Sequence, residues 1–295
     1  MIDYRYHALS LAAVLFALAL GVLLGVAIGD SNLVSSAKNG VVHNLDSEVG
    51  GARARAAQLQ ERLAEEQAFA DGLYPLTVHG LLTGRAIGLV FLGGSSDRVN
   101  SIVGTAVAQA GGGVATVVAV REPLELAALA RGAGGTRYAS LPASMGLVGR
   151  FGEVVGHELV AGGPQVDRGL LSRVRSNLLS AFDGQLARLE GLVVMRAEPA
   201  GMSAAQTEAG ARFEAGLLAG VRGAGVPAVG VELASSAPSQ IPWFKSRGIS
   251  SVDDLDAGPG QAALVLALAG DHGTFGTKPT ADSLLPRPPG TATQP

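Results

Sequence analysis

Five residues near the middle of the chain, Gly93-Gly94-Ser95-Ser96-Asp97, have the composition of a turn that can hold an anion. They follow a short apolar run, and Ser96 or Asp97 can open a helix whose free amides would face a phosphate or carboxylate. A glycine-rich tight turn with Ser96 or Asp97 as a simple helix cap accounts for the same residues. Neither G-x-G-x-x-G nor G-x-x-x-x-G-K-[ST] occurs, so no nucleotide fingerprint accompanies the turn. Asp271-His272 follows the last apolar run, read as a final strand, and α/β proteins hold ligands at that end of a strand. Val252-Asp253-Asp254-Leu255-Asp256 gathers three carboxylates, a set suited to acid–base work or to a hard cation. It is equally the composition of an acidic loop closed by Gly258-Pro259-Gly260.

Other reactive side chains are scattered. His7, His43, His79, His157 and His272 form no H-x-H or H-E-x-x-H spacing, and His157-Glu158 has no second ligand a helical turn away. Met1, Met145, Met195 and Met202 do not cluster, so there is no methionine-rich handle for copper(I). The chain has no cysteine, which excludes disulfides, thiolate metal sites and cysteine catalysis. No G-x-S-x-G elbow is present. Ile241-Pro242-Trp243-Phe244 holds the single tryptophan, either as a partner-binding patch or as a plug on its own domain. These residues give no catalytic set and call for no cofactor. A net charge of −3 and an aromatic content of 4% argue against a nucleic-acid partner.

The elements that must carry these groups begin in a membrane. From Ala8 to Gly29 there is no charged residue, a stretch of roughly 33 Å as a helix against a hydrocarbon core of about 30 Å. The run exceeds that of a cleaved signal peptide, and its start carries a single arginine, Arg5; residues 1–29 therefore read as an uncleaved, single-pass anchor. The short N-terminal tail places the bulk of the chain outside the cytoplasm, although Lys/Arg asymmetry barely discriminates. Gly21, Gly25 and Gly29 repeat every four residues, the small-xxx-small spacing that lets two membrane helices approach closely.

Over residues 30–73, Val42, Leu45, Val49, Ala52, Ala56, Leu59 and Leu63 follow a 3-4 spacing, an a/d heptad seam. Glu48 and Arg53 then face each other across a parallel dimer. The seam predicts either self-association or an envelope protein partner; a long amphipathic helix packed on its own domain is the alternative. Tyr74-Pro75 marks the expected end of this helix.

From 74 to 278, apolar runs alternate with helical patterns: strands at Ala86–Leu92, Val114–Val120, Leu192–Met195, Pro227–Leu233 and Gln261–Ala269, helices at Asp97–Ala110, Ala143–Ala161, Asp167–Ala187 and Ala204–Arg222. The composition of Gln261–Ala269 suits a helix almost as well. Strands apolar throughout and separated by helices predict an α/β, doubly wound, mostly parallel Rossmann-like or flavodoxin-like sheet of about five strands. Residues 279–295, rich in Pro, Thr and Gly, are expected to be disordered.

Tyr6-His7-Ala8-Leu9-Ser10-Leu11-Ala12-Ala13-Val14, running into Ala19-Leu20-Gly21-Val22-Leu23-Leu24-Gly25, resembles the opening of the actinobacterial MctB-like family. The Val107–Val120 region and Ser250-Ser251-Val252-Asp253-Asp254-Leu255-Asp256 with Gly260-Gln261 match it in order, so the resemblance spans about residues 1 to 276. It implies copper homeostasis, with copper efflux as one form of it, and an outer-membrane label. A branch of that family is associated with control of cell-wall hydrolases in daughter-cell separation, its coiled coil binding protein. The residues themselves support an anchored interaction role directly, and a copper pore only if several copies assemble around Gly21, Gly25 and Gly29.

Overall fold

The computed structural model describes residues 4–28, 31–162, 169–197 and 200–286. It divides into two units, residues 1–67 and 68–295. The first holds helix α1 (Tyr4–Ile28) and most of α2 (Ser31–Val78). Between Tyr6 and Ala27 the mean hydropathy is 2.6 and no side chain is buried. A helix apolar on every side and covered on none is long and apolar enough to cross a membrane. Gly29 and its neighbour Asp30 lie outside the described residues.

Pro75 does not end α2, which runs on to Val78. A proline inside a helix costs about 3 kcal/mol; here the extra turn buries Tyr74 and Val78 in the core of the second unit, with Leu82 just beyond. That burial offsets the lost hydrogen bond, and His79 still donates its amide to the Pro75 carbonyl at 3.0 Å.

The second unit is a seven-stranded sheet in the order β3-β2-β1-β4-β5-β6-β7. Its strands are β1 (Ala86–Leu92), β2 (Gly113–Val120), β3 (Leu179–Gly184), β4 (Gly191–Arg196), β5 (Ala228–Val231), β6 (Ser250–Val252) and β7 (Thr274–Phe275). Neighbours are parallel, with β3 alone antiparallel to β2. Successive side chains of β1 supply opposite faces, as the two-residue period of a strand requires. Ile87, Leu89 and Phe91 pack with α3 (Asp97–Gln109) and α9 (Gly258–Ala269). Val90 and Leu92 pack with α4 (Leu126–Gly132), α5 (Met145–Ala161), α6 (Leu170–Leu178) and α7 (Ala204–Gly223). Between α4 and α5 lies a 3-10 turn, Arg137–Ala143, and between β5 and β6 the short α8 (Ile241–Lys245).

The strand count exceeds the five expected because β3, β6 and β7 were not legible, and one expected strand is a helix. Gln261–Ala269 forms α9: Pro259 sits in its first turn, and Ala262, Ala263, Leu264, Val265, Ala267 and Leu268 are all buried. An element buried on nearly every side has no polar face, so its sequence shows no period that separates helix from strand. The helix expected over Asp167–Ala187 stops at Leu178, and Leu179–Gly184 becomes the edge strand β3 by pairing with β2. Asp167 itself lies outside the described residues. The expected disorder from residue 279 is also corrected through Pro286. Gly276 donates to the Ser283 carbonyl at 2.9 Å, Asp282 to that of Thr274 at 2.8 Å, and Lys245 pairs with Asp282 at 2.7 Å. Residues 287–295 lie outside the described residues.

Candidate ligand cleft at the carboxyl edge of the sheet

Every parallel strand of the second unit delivers glycine or charge at its carboxyl end. Gly93 and Gly94 follow β1, Arg121 and Glu122 follow β2, Arg196 ends β4, Glu232 follows β5, Asp253 and Asp254 follow β6, and Lys278 lies just past β7. Because the strands run the same way, these side chains meet along one edge, where open α/β sheets bind ligands.

They form a chain of paired charges. Lys278 donates from Nζ to Glu232 and to the Leu233 and Ser236 carbonyls, the latter at 3.2 and 2.8 Å. Glu232 accepts from Ser239 Oγ at 2.8 Å and from the Gln240 amide. Gln240 accepts from Arg196, whose Nε donates to both oxygens of Glu214 at 3.2 and 3.1 Å. Glu214, on α7, also faces the carboxyl of Glu122. Trp243 lies half-buried between two guanidiniums, Arg196 at 4.7 Å and Arg247 at 3.8 Å from its ring centre. Such stacking satisfies the faces of both cations. The single tryptophan thus plugs this edge of its own domain, while Ile241 and Phe244 of the same motif are wholly buried.

Burial pushes the Glu214 carboxyl up to about 7, with the neighbouring Glu122 adding to the shift and Arg196 opposing it. Glu122 is raised by the same burial. Asp254 is raised to about 6 by burial and by Asp253, and neither of its oxygens has a partner. The consequence for pH has a fixed sign. A carboxyl whose folded pKa lies above its unfolded value binds its proton more tightly when folded, so stability falls as pH rises between the two values. For Glu214 that window runs from 4.5 to about 7, and for Asp254 from 3.8 to about 6. The thermal stability of the domain should therefore fall steadily from pH 4.5 to 7, by an order of 1–3 kcal/mol. Glu214→Gln should remove the slope between about pH 6 and 7, above the Asp254 window, and reduce it below pH 6; an unchanged slope in that variant would count against the assignment.

The other sequence-picked groups have local structural roles. Ser96 caps α3, accepting from the Val99 amide at 3.3 Å, and Asp97 occupies the first turn. Gly93 adopts φ +100°, a conformation that favours glycine; Gly94 and Ser95 complete the turn. Asp253 accepts from the amides of Thr277 and Lys278 at 2.8 and 3.0 Å, and Asp256 from Ala234 N at 2.8 Å and Arg98 at 3.0 Å. Glu158 caps α6, accepting from Leu170 and Leu171 at 3.0 and 2.7 Å, while His157 is exposed. Asp271 and His272 require a correction. They follow the helix α9 and precede β7, so they stand at the amino edge of the sheet and not with the groups above. Among the described residues no three His, Asp or Glu side chains converge in a manner that could hold a metal ion.

Sequence reasoning passed over Glu122, Arg196, Glu214, Glu232 and Lys278. A signal existed for Glu214, which interrupts the apolar face of α7 set by Phe213, Leu217, Leu218 and Val221. For the rest, the signal was a charge placed directly after an apolar parallel strand.

Along the helix α2, Leu45, Val49, Leu59 and Leu63 are 54, 44, 60 and 56% exposed. Ala52 and Ala56 are exposed too, and the Val42 side chain lies outside the described residues. On Gly21 and Gly25, added methyl groups would meet nothing within 4 Å.

An apolar helix, a long second helix and a mostly parallel α/β domain with a charged carboxyl edge define a mixed α/β protein in which, among the described residues, one helix is long and apolar enough to cross a membrane. The chain belongs to the family described as "Copper transport outer membrane protein, MctB", whose model matches residues 1–286. It is similar to the proteins named "Copper transporter MctB" of Mycobacterium tuberculosis (strain H37Rv) and Mycobacterium bovis. Each is 27% identical over 311 residues, a match covering 94% of this chain and 96% of the relative.

Proposed function

We propose that this chain is a non-enzymatic, single-pass scaffold of the copper-transport family, with its α/β domain outside the cytoplasm and the apolar face of α2 as its working surface. The observation that carries the reading is the exposure of Leu45, Val49, Leu59 and Leu63 on one helical stripe. Four large aliphatic side chains in a/d register contribute roughly 1.5–3 kcal/mol each when buried, and nothing among the described residues of their own unit covers them. The occupant is a second copy or an envelope protein, such as the cell-wall hydrolases tied to the separation branch of the family. Two anchored copies would leave the bilayer side by side, so their α2 helices would run parallel with Glu48 opposite Arg53.

Copper transport, as the relatives' name has it, is the second reading, and it needs the same association. One apolar helix cannot enclose a path, so copies would have to pack through Gly21 and Gly25, where a second helix has room to approach.

Leu59→Asp/Leu63→Asp tests the shared step. The pair should reduce the detergent-solubilised assembly to monomer, and co-purified envelope proteins should be lost, with thermal unfolding of the α/β domain unchanged. A copper-tolerance defect in cells carrying the variant, with normal septa, would favour transport over scaffolding. Unchanged assembly and unchanged partners would overturn the reading.

A further inference from the structure

The strand order turns at β1/β4: from β1 the chain moves outward through β2 to β3, then returns to place β4 on the other side of β1. At that switch point, where the strand order leaves a crevice, lies a cleft of about 370 Å³ lined by Gly93, Gly94, Val120, Arg121, Glu122 and Ser180. Its volume falls at the small end of ligand sites, enough for one or two rings and not for a dinucleotide.

The polar groups on its wall are mixed. Glu122 presents a carboxyl, and one of its oxygens lies 3.2 Å from where a Gly93 side chain would begin. Arg121 is exposed and spends one Nη on the Leu179 carbonyl at 3.2 Å, leaving other donors free. Ser180 donates to the Ala119 carbonyl at 3.3 Å, which leaves its oxygen free to accept. An anion at this wall would face Glu122, and a cation would face Arg121. A hydroxyl group both donates and accepts, so two adjacent hydroxyls can give one hydrogen bond to a carboxyl oxygen and take one from a guanidinium. Val120 and Pro123 supply an apolar floor for the face of a ring.

Glu122 is also held from behind. Glu214 faces it, and Glu214 is held by Arg196, which is itself held by Gln240 and the Trp243 ring. A carboxyl so braced loses little freedom on binding, which is what a positioned acceptor requires.

We propose that the cleft between β1, β2 and β4 binds a neutral small ligand bearing a vicinal diol, with Glu122 accepting from one hydroxyl through the oxygen nearer Gly93 and Arg121 donating to the other. A nucleoside and a monosaccharide share this chemistry. The probes are adenosine and methyl α-mannoside, with 2′-deoxyadenosine and adenosine monophosphate as comparisons, titrated by saturation-transfer NMR against the full chain in detergent micelles. Saturable binding of adenosine, at least tenfold weaker for 2′-deoxyadenosine, assigns a nucleoside; saturable binding of the mannoside alone assigns a carbohydrate. Glu122→Ala should weaken either by tenfold or more. Gly94→Leu should do the same by filling the mouth, since nothing lies within 4 Å of a side chain begun there and folding should be unaffected. The proposal is overturned if neither probe saturates in the millimolar range, or if both variants bind as the parent does. Tighter binding of the monophosphate than of adenosine also overturns it, since that would make the turn an anion site.

Discussion

Gly156→Leu should leave the α/β domain unable to reach its folded state, and Gly156→Ala should lower its stability by about 2–3 kcal/mol. The reason lies in how α5 meets α7. A methyl group on Gly156 would collide with the Leu217 carbonyl, and one on Gly152 would sit 3.0 Å from the Leu217 amide and closer still to the Phe213 carbonyl. From the other side, Gly216 is pressed on the Gly149 carbonyl and Gly220 on that of Glu153. The helices touch backbone to backbone, so no side chain can rotate away and one helix must move. That displacement would open voids around Phe151, Val155, Phe213 and Leu217, which fill this layer of the core. Gly210→Ala, on the same α7, is the internal control: its added methyl meets nothing within 4 Å. It should be neutral or stabilise by up to about 1 kcal/mol through helix propensity. At roughly 2–4 °C per kcal/mol for a domain of this size, the two alanine variants should melt on opposite sides of the parent or clearly apart. Equal melting temperatures would contradict the close helix contact.

The second large effect is at Arg196. Its side chain and that of Glu214 are only 10 and 2% exposed, and their ion pair at 3.1 Å is the most enclosed among the described residues. Arg196→Met should cost about 3–5 kcal/mol at pH 7.5, because Glu214 is left buried without its counter-charge. The loss should shrink at pH 5, where Glu214 can take up a proton. Replacing both, Arg196→Met/Glu214→Met, should recover much of the stability, since two well-packed apolar side chains bring no uncompensated charge. Urea unfolding of the parent, both single variants and the double variant closes the cycle. If the double variant loses the sum of the two single losses, the residues contribute separately and the paired-charge description fails.

How much of this was legible depended on what each segment faces. α3, β1, β2, α5 and α7 could be read because their apolar residues repeat with the period of the element and stop at clear breaks. α9 could not, because burial on nearly all sides erases the period. β6 and β7 were missed because Ser250, Ser251 and Thr274 are polar residues buried in short strands, Ser250 donating to the Asp271 carbonyl and Thr274 to Asp282. β3 was lost in a helical pattern because pairing along the β2 edge outweighed local propensity. The spacing of Gly21, Gly25 and Gly29 drew attention as a close-packing pattern in the span, yet the same spacing at Gly152/Gly156 and Gly216/Gly220, where the backbones do meet, went unnoticed inside the α/β domain. The charged edge escaped because its members are far apart in sequence. Only a parallel sheet brings residues 122, 196, 214, 232 and 278 together.

The exposed stripe of α2 is the center of the functional account, and the absence of cysteine makes one measurement direct. Single cysteines at Leu59, Glu61 and Leu63 would be labelled with a photoactivatable thiol-specific cross-linker and irradiated in native membranes, and the products separated by size. The account predicts efficient cross-linking from positions 59 and 63, to a second copy or to one envelope protein, and little from 61 on the opposite face. Cross-linking of equal yield at all three positions, or at none, would contradict it.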